Sequence, residues 1–189
     1  MKIIIIPLLI CFLAAGCVPL SLHPLYTDAD LVFEPVLVGE WAETGSEETW
    51  TFTKGEGSSY NFSYADDDGK RGEFIAHLVN VRGSLFLDIF PKDPEEDAAP
   101  IYLWHLVGMH SFLRVKQIEP TLQMAILDPD WLKKFLEEHP GEVQYEKVDD
   151  KILLLDETKE LQAFVVRCAQ LEGAFGDYSD MTRNQRGAP

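Results

Sequence analysis

The side chains of this sequence best suited to chemistry are its five histidines, and His77 is the one with a carboxylate, Asp88, at a telling distance. The two flank Arg82-Gly83. If that pair makes a two-residue turn, Val81 pairs with Ser84 and His77 lies opposite Asp88. An imidazole and a carboxylate side by side on a sheet could then serve a hydrolase as a general-base dyad, with His105 as a further candidate. The turn demands positive φ at Arg82, which an L side chain resists. A type I turn over Val81-Arg82 with Gly83 as a bulge avoids that cost. It pairs Asn80 with Ser84, sets Asp88 across from Ala76 and leaves His77 across from Leu87. This second register is the expected one, so His77, Asp88 and His105 are read as structural and no enzyme is expected.

The remaining polar groups point the same way. His105 and His110 differ by five, so on one continuous strand they face opposite sides and cannot share a metal. His23 sits in the lead-in, and His139 suits a helix C-terminus, where a cation is favourable. Asp66-Asp67-Asp68-Gly69 fails as an EF-hand loop. With Gly69 in sixth place, the first and twelfth ligand positions are Tyr64 and Ile75. No Gly-x-Ser-x-Gly elbow, phosphate loop, Cys-x-x-Cys or His-Glu-x-x-His is present. Neither a metal nor a cofactor is therefore expected. Cys168 falls in Leu161, Phe164, Val165, Cys168, Leu171, a helical apolar stripe, and reads as a buried core thiol.

The chain opens Met-Lys-Ile-Ile-Ile-Ile-Pro-Leu-Leu-Ile-Cys-Phe-Leu-Ala-Ala-Gly-Cys. One basic residue, a short apolar run and small residues have the order of a secretory signal. The run is about eleven residues, short of the roughly 20 that a spanning helix needs. Ala14-Ala15-Gly16-Cys17 resembles a bacterial lipobox, with Ala14 where leucine is commoner. The resemblance implies cleavage between Gly16 and Cys17, a diacylglyceryl group on the Cys17 thiol and acylation of the new amino group. Val18, in place of an aspartate, implies sorting to the periplasmic face of the outer membrane in a host with two membranes. Cys11 leaves with the leader and Cys17 is acylated, so Cys168 has no partner for an intramolecular disulfide.

Sixteen Lys plus Arg against 32 Asp plus Glu give a net charge of -16, or -17 once Lys2 departs with the leader. Phosphate binding needs a basic footprint, so nucleic acid is excluded as a partner, and charge cannot hold the chain on anionic lipid. At 189 residues and 46% hydrophobic content, one well-packed domain is expected.

Four segments follow. Residues 1–16 are the leader, and 17–35 a lipidated tether whose apolar Leu25, Tyr26, Leu31, Val32 and Phe33 should pack on the body. Residues 36–175 form a single domain, and 176–189 a polar tail read as disordered. Period-two patterning predicts strands over 36–42, 48–53, 59–65, 73–81, 85–91, 101–107, 111–118 and 121–127. A helix over 129–139 starts at the cap Asp128 with Pro129 behind it. A strand pair over 143–148 and 151–155 precedes a second helix over 157–171, capped by Asp156. The fold class is α+β: an antiparallel meander forming a barrel- or sandwich-like sheet, then two helices and a short strand pair. The 73–91 hairpin is apolar on both faces, so both should be covered. In the expected register Phe74, Ala76, Leu78, Phe86 and Phe90 share one face. Acidic residues 91–100 should form an exposed loop. Gly39-Glu40-Trp41 resembles the opening of lipocalin-type barrels, where the tryptophan plugs one end under a late arginine; Arg114 is the candidate for that role.

The chain is thus expected to be a lipid-anchored envelope lipoprotein, a non-catalytic binding module for an apolar ligand or a protein partner. An assembly role, with the acidic loop 91–100 docked on a basic surface, ranks next, and a hydrolase built on His77 and Asp88 last.

Overall fold

Along residues 49–53 and 59–64, aromatic residues alternate with hydroxyl or amide ones so regularly that one face must be dry. The computed structural model describes residues 18–93 and 99–184. In chain order its elements are β1 (Leu20–Ser21), β2 (Leu31–Val32), β3 (Gly39–Glu43), β4 (Thr49–Lys54), β5 (Ser59–Ala65), β6 (Arg71–Val81) and β7 (Ser84–Pro91). Then come α1 (Pro100–Leu103), β8 (Ser111–Gln117), β9 (Gln123–Ile126) and α2 (Pro129–Glu138). The chain continues through β10 (Tyr145–Val148), β11 (Lys151–Leu154), α3 (Thr158–Cys168) and β12 (Met181–Arg183).

Strands β3 to β9 form an antiparallel meander, and β12 returns to pair with β3. The seam between β9 and β12 is a broken ladder. Leu122 and Met181 exchange both backbone bonds at 2.8 and 3.0 Å, Ser179 N–H donates to Met124 O at 2.9 Å, and Gly176 N–H donates to Ile126 O at 3.1 Å. The sheet therefore comes close to closing as a barrel. Closure removes the exposed edges that a meander of this length would otherwise present.

Trp41, Trp50, Phe52, Tyr60, Phe62, Leu78, Leu87 and Met124 all point inward, nearly or fully buried, and join one hydrophobic cluster. Trp50, Phe62 and Phe52 stack with ring centroids 4.8–4.9 Å apart, and Tyr60 sits edge-on to Phe52. Side chains fill the middle of the barrel. Outside, Thr51, Thr53, Asn61 and Glu73 give β4 to β6 a polar face.

Across β6 to β9 the outer face is apolar too, as the hairpin composition requires. Val79, Phe86, Phe112 and Leu127 pack under Leu132, Phe135 and Leu136 of α2 and Leu161, Phe164 and Val165 of α3. Each buried Leu or Phe is worth about 1.5–3 kcal/mol. The apolar face of α3 thus outweighs the missing side-chain cap at Glu157, an effect of about 1 kcal/mol. Asp156 was the expected cap, but its Oδ1 accepts from Gln144 N–H and anchors the α2–β10 connection instead. Asp128 does cap α2, accepting from Trp131 N–H at 2.6 Å.

The lead-in also packs on this face. β1 joins β11 in a small second sheet, Leu25 is fully buried, and β2 pairs with β6. Pro35–Leu37 is a 3-10 turn rather than the start of a strand.

Further expectations fail. The 82–83 hairpin takes the register judged less favourable: Val81 pairs with Ser84 and His77 with Asp88, with φ of 52° at Arg82 and 85° at Gly83. Moving β7 by one residue reverses its faces, so Leu85, Leu87 and Ile89, not Phe86 and Phe90, join Phe74, Ala76 and Leu78 inside. Residues 101–107 are no strand, because β7 and β8 pair directly and leave that segment as a connection outside the sheet. The tail read as disordered supplies β12, since the barrel needs a strand between β9 and β3. Gly16, Cys17 and part of the 91–100 loop lie outside the described residues.

Candidate functional site

On the outer face of β7, Asp88 is fully buried where an apolar residue would ordinarily sit. Its two oxygens are held by different parts of the chain. Leu25 N–H of the lead-in donates to Oδ2 at 2.8 Å, and His110 Nδ1 donates to Oδ1 at 2.7 Å. The ladder explains the meeting. Asp88 pairs with Phe112, so His110 is the next residue along on the same face. His110 is buried, its ring lies 4.6 Å from that of Phe90, and its backbone exchanges both hydrogen bonds with Ser21. A buried carboxylate without partners would be costly; this one joins the lead-in, β7 and β8 in one polar knot.

His77, set opposite Asp88 by the register judged less favourable, sits across the ladder but turns to Tyr26, with ring centroids 4.5 Å apart. Desolvation holds its pKa below the ordinary 6.5; Asp88 pulls it up, and His110 adds to the depression. Burial raises the Tyr26 phenol, with the charges of Asp88 and Asp28 acting in the same direction. Among the described residues no serine, threonine or cysteine side chain hydrogen-bonds to the His110 ring, so the group contains an oriented imidazole with no nucleophile bonded to it. The chain segment that runs over it, Leu25-Tyr26, is clamped by it.

The other residues singled out are dispersed. His105 is exposed beyond α1, its Nδ1 bonded to Ile101 O at 2.7 Å, and has no contact with Asp88. Asp66 accepts from Lys70 N–H, Asp67 from Glu47 N–H and Asp68 from Lys70 Nζ, so that turn is tied within the protein. Cys168 is fully buried, and desolvation pushes its thiol up to about 12, the state of an inert core residue. No group of three or more His, Cys, Asp or Glu among the described residues is arranged to hold a metal.

Arg183, not Arg114, covers Trp41. Its guanidinium lies 4.6 Å from the indole centroid and donates to Val38 O at 2.6 Å and to Val36 O. Gly39, with φ of 145°, leaves the necessary space, since a Cβ there would meet Arg183 Nη1 at 2.6 Å. Arg114 faces outward and donates to Ala169 O at 2.7 Å, fastening the end of α3 to the barrel. Trp41 thus lies under an arginine that the tail supplies and β8 does not.

Neither a protein family, nor a curated protein, nor a solved structure matches this chain. Function must be argued from its surfaces. Two stand out. A groove of about 480 Å³ between the α2–β10 connection and α3 has Val143 and Phe164 as its floor and Glu142, Asp156 and Glu160 on its rim; Arg167, paired with Glu142, completes it. Sequence reading missed this groove because it arises from how α3 docks. The second surface is the connection after α1, where Trp104 and Val107 are 77% and 64% exposed. That signal was in the sequence, disguised as a strand.

Proposed function

We propose that this protein is a lipid-anchored envelope lipoprotein that acts as a non-catalytic binding module and engages a protein partner through its outer surface. The observation that carries the choice of partner is the filled barrel. Trp41, Phe52, Tyr60, Leu78 and Met124, all buried to within a few per cent, occupy the space in which a barrel of this size would otherwise house one small ligand. The anchor is supported by Ala14-Ala15-Gly16-Cys17 and by a lead-in that is bonded to the body from Ser21 onward, which leaves a short tether. The surface that best suits a partner segment is the groove beside α3. Its acidic rim, on a chain of net charge -16, favours a basic partner.

Photocrosslinking in the native host tests this. With p-benzoylphenylalanine in place of Glu160 on the groove rim, ultraviolet light should give one discrete adduct. The same probe at Thr53, on the polar outer face of β4, should give none. Equal labelling from both positions, or from neither, would count against a partner in the groove.

A further inference from the structure

The segment after α1 is unlike the rest of the surface. Ile101, Trp104, Leu106 and Val107 are 63%, 77%, 48% and 64% exposed, a density of uncovered apolar side chains that soluble surfaces seldom carry. From residue 99 to residue 110 there is no Asp, Glu, Lys or Arg, although a quarter of the chain is charged. Its far end is fixed to the body. At its end Gly108 lies against the Phe90 ring, where a Cβ would come within 2.5 Å, and His110 is bound to Ser21 and Asp88. Leu22, next to Ser21, is itself 41% exposed.

We propose that residues 101–107, together with Leu22, rest in the headgroup layer of a zwitterionic membrane as a second contact beside the acylated Cys17. This rests on the lipid-anchor reading. Leu22 follows Cys17 by five residues, so at roughly 3.3–3.6 Å per residue it stays within about 18 Å of the anchored residue. The Ser21–His110 bonds fasten the end of the apolar segment to that same stretch of lead-in. A tryptophan among aliphatic side chains is the composition favoured at the lipid–water boundary. Neutral lipid is the fitting surface, because the segment has no cation for an anionic headgroup and the domain is strongly acidic.

The test uses the full chain purified from its membranes and reconstituted into phosphatidylcholine vesicles, with and without acyl chains brominated near the headgroup. Trp41 and Trp50 are buried and Trp131 is partly covered, so Trp104 is the indole open to lipid. Bromolipid should remove most of the Trp104 emission from the native protein, and Trp104→Phe should remove that quenchable component. Flotation and the mass of the N-terminal peptide report the anchor separately. An acylated, floating protein whose emission is quenched no more than that of Trp104→Phe overturns this inference alone, whether the segment is bare or covered by a protein. A chain unacylated at Cys17 that does not float overturns the anchor and this inference together.

Discussion

Asp88 shows how much a single buried polar residue can organise. Removing its carboxylate leaves Leu25 N–H and the His110 ring without their acceptor in a dry setting, which costs about 3 kcal/mol. Asp88→Ala should therefore lower the denaturant midpoint strongly. His110→Phe should cost less, and the double variant less than the sum of the two; strict additivity would mean that the pair contributes nothing as a pair. His77 adds a pH dependence of definite sign. Its folded pKa lies below 6.5 because burial disfavours the charged ring. As pH falls through 6.5, the unfolded chain takes up the proton first, so stability should decline from there until the folded form is protonated as well. Thermal melts from pH 7.5 to 5 should show that loss in the native protein and less of it in His77→Gln. Sequence alone offered the His77–Asp88 pairing only in the register it disfavoured, and it did not connect His110 with Asp88. Only the β7–β8 register, which no local pattern dictates, puts residue 110 beside residue 88.

The 82–83 hairpin is the element on which the most depends. Positive φ at Arg82 costs about 1–2 kcal/mol, and local propensity accordingly favours the bulged turn. The fold accepts the strain because the alternative would turn Leu85, Leu87 and Ile89 out of the barrel, together worth more than the turn. Asn80 Oδ1 eases the turn by accepting from Gly83 N–H at 2.9 Å. Arg82→Asn should then stabilise the protein by about 1 kcal/mol, read as a rise of roughly 2–4 °C in Tm. A fall in Tm would mean that the Arg82 side chain contributes something beyond its backbone. What was legible at this scale was whatever repeats over several residues: the alternation of β4 and β5, the doubly apolar hairpin, and the start of α2 at Asp128-Pro129. β12 was not legible, since three residues of Met-Thr-Arg become a strand only through Met181 inside the barrel and Arg183 over Trp41. Residues 101–107 misled for the opposite reason. Their apolar content suits a strand, but the sheet has no place for one.

At the scale of the molecule, the barrel is a solid body covered on one side by two helices and strapped by its own lead-in from Ser21 to Leu37. Such a body can carry a groove and an apolar edge on its outside while having little room within. Its acidity fits this arrangement, because the chain need not use charge to reach a membrane if a covalent lipid does so. One measurement addresses both an acylated Cys17 and a barrel without a passenger. Native mass spectrometry on the protein taken from its own membranes should give a chain beginning at Cys17 with acyl groups on that residue. Denaturation should release no apolar molecule in stoichiometric amount. A chain that still begins at Met1, or a stoichiometric apolar molecule set free on unfolding, would contradict it.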